Sequence, residues 1–142
     1  MKIIEAKLGP EDNNVAIILN MLAEVYRKMG DYEKVLPLNQ RALEITEKIF
    51  GSENPNFAAL LNNRAVLYRH MGHYYKALPL YQRALDIREY IYGSDHQDVA
   101  GSLNNLASLY LSLEYYYEAL LLYQRALAVS YTHLTLPTNR EV

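Results

Sequence analysis

Gly9, Gly51 and Gly93 fall at equal intervals of 42 residues, and the same offset superimposes Asn20, Asn62 and Asn104; Ala23, Ala65 and Ala107; Tyr26, Tyr68 and Tyr110; and Tyr32, Tyr74 and Tyr116. The stretches NQRALEI, YQRALDI and YQRALAV, which begin at Asn39, Tyr81 and Tyr123, obey it as well. A period of this length restricts the chain to architectures in which one supersecondary unit stacks on the next.

Inside each copy the pattern is helical. Leu19, Leu22, Ala23 and Tyr26 lie at i, i+3, i+4 and i+7 and so share one stripe; Leu38, Ala42, Leu43 and Ile45 repeat the pattern in the second half. Between the halves stands a short breaker, Gly30-Asp31 or Gly72-His73, which suits a tight turn between two helices. Each copy therefore reads as a helical hairpin. Its first helix (helix A) is expected over 14–29, 56–71 and 98–113, and its second (helix B) over 32–50, 74–92 and 116–130. The longer connections GSENPN and GSDHQD offer a glycine for a left-handed helix stop and polar residues to cap the next helix A. Pro37 and Pro79 lie inside helix B, where a proline removes a backbone donor; the expectation is a local bend or a later helix start. No strand is needed.

Both ends break the pattern. MKIIEAKLG aligns with LEITEKIFG before Gly51, so residues 1–8 read as the end of a preceding, truncated repeat. Repeats 9–50, 51–92 and 93–130 follow. From about Ser130 the wording AVSYTHLTLPTNREV abandons the repeat; residues 131–142 resemble a cloning or sequencing-adapter remnant, or else a disordered native tail, and are expected to make few buried contacts. A solenoid without polar caps leaves apolar surface at its ends. Leu120, Leu122, Leu127 and Val129 are expected to lack a partner there, giving weak self-association.

With 51% hydrophobic residues in 142, the chain can bury a core. A formal net charge of -2 gives no bulk basic footprint for nucleic acid or anionic lipid. The absence of cysteine excludes disulfides and thiolate chemistry, and no segment approaches the ~18 apolar residues of a membrane span, so a soluble, cytoplasmic protein is the default. His70 and His73 form an H-x2-H spacing without further ligands, and no phosphate loop, nucleophile elbow or paired carboxylates stand out. No catalysis, metal or cofactor is expected. Most of the fourteen tyrosines recur at core positions and read as packing, with one ring of Tyr115-Tyr116-Tyr117 turned inward; Arg41, Arg83 and Arg125 read as solvated or paired with acids.

The run L-x2-L-A-x2-Y from Leu19 to Tyr26, followed by Gly30, Tyr32 and Ala42, resembles the tetratricopeptide repeat. The 42-residue period, with LNN-A-LY in helix A and ALPLYQRAL in helix B, is similar to the kinesin light chain type of that repeat. The resemblance spans residues 9–130 and implies an all-α, right-handed superhelix of antiparallel helical hairpins. It has exceptions: Arg64 at a core leucine position, Glu114 at the turn glycine, Asn39 at an aromatic position and Val35 at an alanine.

On a helical wheel one face of helix A carries Asn20, Glu24, Arg27 and Lys28 beside Met21; then Ala59, Asn62, Asn63, Val66, Arg69 and His70; then Gly101, Asn104, Asn105, Ser108, Leu111 and Ser112. This face is expected to line the concave wall. A carboxamide offers donors and an acceptor, so a row of them can hold an extended peptide backbone without reading its side chains. Arg27, Lys28, Arg69 and His70 would favour acidic ligand residues, and Val66 and Leu111 would add apolar contact. The resemblance implies the same, since kinesin light chain type repeats use asparagines at these positions to bind cargo-adaptor peptides. The alternatives are that the asparagines bond a neighbouring helix or solvent, and that the array is structural or regulatory within a larger protein, for instance beside a nucleotide-binding domain.

Overall fold

The computed structural model describes the backbone of residues 12–141 and the side chains of residues 12–132. Among the described residues six helices follow one another: α1 (Asn13–Lys28), α2 (Tyr32–Phe50), α3 (Pro55–His70), α4 (Tyr74–Tyr92), α5 (Gln97–Ser112) and α6 (Tyr116–Glu141). They pack as the antiparallel hairpins α1/α2, α3/α4 and α5/α6, with α2 against α3 and α4 against α5. Helix starts recur every 42 residues, and each helix A begins and ends one residue before its expected place. Residues 1–8, expected to end a preceding repeat, lie outside the described residues.

The turns between hairpin halves close by one hydrogen-bond pattern. Gly30 donates to the Arg27 carbonyl at 3.0 Å and Asp31 to that of Tyr26 at 2.9 Å. Gly72 with His73, and Glu114 with Tyr115, repeat it. This is the Schellman arrangement, which satisfies the last carbonyls of a helix but requires a left-handed residue. Gly30 and Gly72 supply it at φ 79° and 80°, and Glu114 adopts it at φ 65° despite its side chain. Gly51 and Gly93 also have positive φ, but with ψ of 176° and 169° they are extended rather than left-handed helical, a region open essentially to glycine alone. The next helix is then capped by a side chain: the carboxylate of Asp12, the amide oxygen of Asn54, or Nδ1 of His96 each accepts from the backbone N–H two residues on.

Small residues let the helices approach closely. Ala42, Ala58, Ala65, Ala77, Ala84 and Ala107 are fully buried, and Leu67, Leu103 and Leu109 fill the space between them. Burial of each such leucine contributes about 2 kcal/mol. Helix B does not start late: Pro37 and Pro79 lie within helices that begin at Tyr32 and Tyr74. Both prolines are exposed, as are Glu33 and Tyr75 four residues earlier, so water can reach the carbonyls that lose a donor.

Four further expectations need correction. Helix α6 does not stop near Ser130 but continues to Glu141, across the β-branched residues and Pro137 that were expected to end it. Tyr131 is exposed, and the contacts of residues 133–142 lie outside the described side chains. Leu120 and Leu127 are exposed, whereas Val129 is buried and Leu122 packs against the last core cluster, since these two face their own hairpin. Of the fourteen tyrosines, Tyr81 is fully buried and Tyr26, Tyr32, Tyr68, Tyr74 and Tyr110 pack half-buried against the core clusters as expected, but the other eight are exposed, Tyr115, Tyr116 and Tyr117 among them, so no ring of that cluster is turned inward.

Candidate functional site

Helices α1, α3 and α5 stand side by side and present the asparagine face. None of its amides is sealed: Asn20, Asn62 and Asn105 are half-buried, and Asn63 and Asn104 are exposed. They are nevertheless organised. Asn63 Nδ2 donates to Asn20 Oδ1 at 3.3 Å, and Asn105 Nδ2 donates to Asn62 Oδ1 at 3.0 Å. The second asparagine of one hairpin thus clasps the first asparagine of the hairpin before it. Asn20 and Asn62 each keep both N–H groups, Asn63 and Asn105 keep their oxygens, and Asn104 has no such amide partner among the described residues. Met21, at the second position of the first copy, is exposed and supplies no amide.

The cations on this face are partly engaged. Arg69 Nη2 donates to Ser108 Oγ at 2.7 Å, a second link from α3 to α5. Arg27 binds Glu24 on its own helix through Nε at 3.1 Å and Nη2 at 2.5 Å, and this guanidinium holds the Glu24 carboxyl below the usual carboxylate range. Lys28 and His70 are exposed, and the His70 ring sits 6.3 Å from that of Tyr32. The expected positive patch is therefore weaker than a count of its cations suggests. Val66 is half-buried against the core and Leu111 is exposed.

Two recesses open between α1 and α3. One, of about 240 Å3, is lined by Asn20, Met21 and Ala59 among others; the second, of about 340 Å3, is lined by Glu24, Arg27, Asn63, Val66 and His70. The Asn20–Asn63 pair contributes one amide to each. The structure therefore brings together Asn20, Arg27, Asn62, Asn63, Val66, Arg69, His70, Asn105 and Ser108 along adjoining helices, with Lys28, Asn104 and Leu111 at the margins. Glu24 stands in the wall of the larger recess, on the face where its sequence position put it; its pairing with Arg27 was not foreseen, though the spacing of three was the available signal.

Polar groups elsewhere serve the packing. Asn39, buried in α2, donates to the Leu60 carbonyl at 3.1 Å and accepts from Arg64 Nη1 at 3.1 Å, so two exceptions to the repeat satisfy each other. Arg125 pairs with Glu89 at 2.8 Å, and Arg83 lies over the Phe57 ring at 5.0 Å. The Tyr81 hydroxyl is buried without a hydrogen-bond partner among the described residues, Arg69 lying nearby but bonded to Ser108; burial pushes that phenol up. Among the described residues no group of three or more His, Asp or Glu side chains could hold a metal, and no helix is long and apolar enough to cross a membrane.

The family model for the tetratricopeptide repeat matches residues 1–55 and 56–131. The chain belongs to the tetratricopeptide repeat family. Its structural neighbours are kinesin light chain-like: BtubC (BKLC) of P. vanneervenii superimposes with a TM-score of 0.86 at 25% identity over 92% of this chain and 52% of that one. A Podosopora anserina protein with nearly identical TPR-like repeats of the kinesin light chain kind gives a TM-score of 0.78 at 24% identity, over 92% of this chain and 63% of that one. The N-terminal domain of stress-induced protein-1 of C. elegans shares the fold, with a TM-score of 0.66 at 16% identity over 82% of this chain and 85% of that one. The chain thus spans 52% and 63% of the two kinesin light chain-like structures. No curated protein sequence matches it. Tetratricopeptide repeat domains are in general protein–protein interaction modules and typically non-catalytic, and this one has the same all-α hairpin fold.

Proposed function

We propose that this tetratricopeptide domain is a scaffold that binds an extended, acidic peptide segment of a partner protein along the face formed by α1, α3 and α5. The observation that carries the reading is the state of the amides: accessible, held in register by the clasps, and with N–H and carbonyl capacity left over. Such a row suits a backbone ligand. Lys28, Arg69 and His70 give it a preference for acid, and surface contacts of this kind correspond to affinity in the micromolar range, roughly -8 kcal/mol.

Anisotropy of a labelled acidic peptide tests the reading. Changing Asn62, Asn63, Asn104 and Asn105 together to alanine is expected to weaken binding at least about tenfold, a loss near 1.4 kcal/mol. Asn104→Ala alone breaks no clasp and should weaken it severalfold with folding unchanged. Equal affinity across these variants would overturn the reading.

A second reading, a structural array inside a larger assembly, is favoured by the exposed end of α6. Tyr123 and Leu127 are 38% and 68% exposed, while their counterparts Tyr81 and Leu85, covered by α5, are 1% and 2% exposed. Under that reading the end of the stack, rather than its asparagine face, is the contact surface, and weak self-association follows from it.

A further inference from the structure

Glu24 occupies the position that belongs to Val66 and Ser108 in the next two copies, and Arg27 the position of Arg69 and Leu111. In the second copy the arginine reaches across to the neighbouring helix and donates to Ser108. The equivalent reach from Arg27 would lead toward Val66, whose side chain has no acceptor. Arg27 instead folds along α1 and places two N–H groups on the Glu24 carboxylate. That pair forms part of the wall of the 340 Å3 recess, beside the amide of Asn63.

We propose that Glu24 is a built-in competitor for acidic ligands: its carboxylate occupies the Arg27 guanidinium fork that a ligand carboxylate would take, and so sets the affinity threshold and charge selectivity of the groove. The inference rests on the reading of this face as an acidic-peptide site. Two features make the exchange workable. The fork presents to Glu24 the two-pronged geometry that any carboxylate requires. The pair is also exposed, 28% for the Arg27 side chain and 47% for that of Glu24, so its internal bond is weak and a ligand can displace it. Displaced, Glu24 would repel the incoming acid, which sharpens discrimination against weakly acidic segments.

The test uses labelled octaglutamate and octaglutamine peptides with wild type, Glu24→Gln, Arg27→Gln and the double variant, each checked by circular dichroism. Glu24→Gln is expected to tighten octaglutamate binding about two- to fivefold, the range set by an exposed ion pair, and to leave octaglutamine binding unchanged. In the Arg27→Gln background the same change should bring a clearly smaller gain, since only the repulsion by Glu24 is then removed. A gain of equal size in that background would show that Glu24 acts only through the general field, and an unchanged affinity in Glu24→Gln would show that it does not compete; either result overturns the inference while leaving the groove reading intact. If neither wild type nor Glu24→Gln binds octaglutamate, the groove reading itself falls, and the inference with it.

Discussion

Glu114 holds the third hairpin turn in a conformation that Gly30 and Gly72 adopt without a side chain. The left-handed region costs a non-glycine residue roughly 1 kcal/mol or more, and the strain persists because the two turn hydrogen bonds and the packing on either side leave the chain no other path. Glu114→Gly should therefore raise stability by about 1 kcal/mol and the melting temperature by about 3 °C, measured by calorimetry. Tyr81 makes the complementary case. Its ring is completely packed while its hydroxyl has no partner, so Tyr81→Phe should be neutral or stabilising by up to about 1 kcal/mol in urea unfolding. Both residues were visible in the sequence as members of the repeat, Glu114 as an exception and Tyr81 as the rule. The periodicity could not show that the turn geometry survives the exception, nor that the rule buries a polar atom, because both depend on what the neighbouring helices impose.

The first five helices and the start of α6 were legible to within a residue, since strong amphipathic periodicity bounded by glycine turns leaves little freedom in placing them; the end of α6, where the repeat pattern stops, was not. What escaped the sequence was contact between copies. Asn39 and Arg64 each looked like a defect, yet they meet across α2 and α3, while the next interface places Tyr81 and Leu106 at the corresponding positions in one apolar cluster. A period of 42 aligns equivalent residues; it does not tell which unequal residues touch. That the asparagines bond a neighbouring helix was one of the alternatives read from the sequence, but which of them meet was not legible, for the same reason: the clasps join residues 43 apart, one more than the repeat. Arg64→Leu alone should cost about 2 kcal/mol by leaving the buried Asn39 oxygen unpaired, and Asn39→Tyr alone should cost a similar amount by burying the guanidinium without its acceptor. The double change, which copies the second interface into the first, should recover most of the loss. Denaturant unfolding of the four proteins measures the coupling, expected at about 2 kcal/mol.

Across the whole molecule the hairpins form a stack whose α6 end exposes Leu120, Tyr123 and Leu127, residues whose counterparts one hairpin earlier are wholly or partly covered. Two copies that meet through this same surface form a closed, isologous pair, so association through it should be a monomer–dimer equilibrium whose average mass rises with concentration. Sedimentation velocity over a concentration series should show this drift, and Leu127→Lys should abolish it while leaving the melting temperature within a few degrees, as surface changes do. Concentration-independent sedimentation of the parent protein would remove the case for a sticky end. The mismatch between the two interior interfaces also bears on how such a chain could be edited. Gly51 and Gly93 share one backbone geometry, so excising residues 51–92 would join Phe50 to Gly93 without disturbing the junction. It would also confront Asn39 with Leu106, an amide with a hydrocarbon. The hairpins are interchangeable as shapes but carry side chains that fit only one neighbour, so their order is written into the molecule.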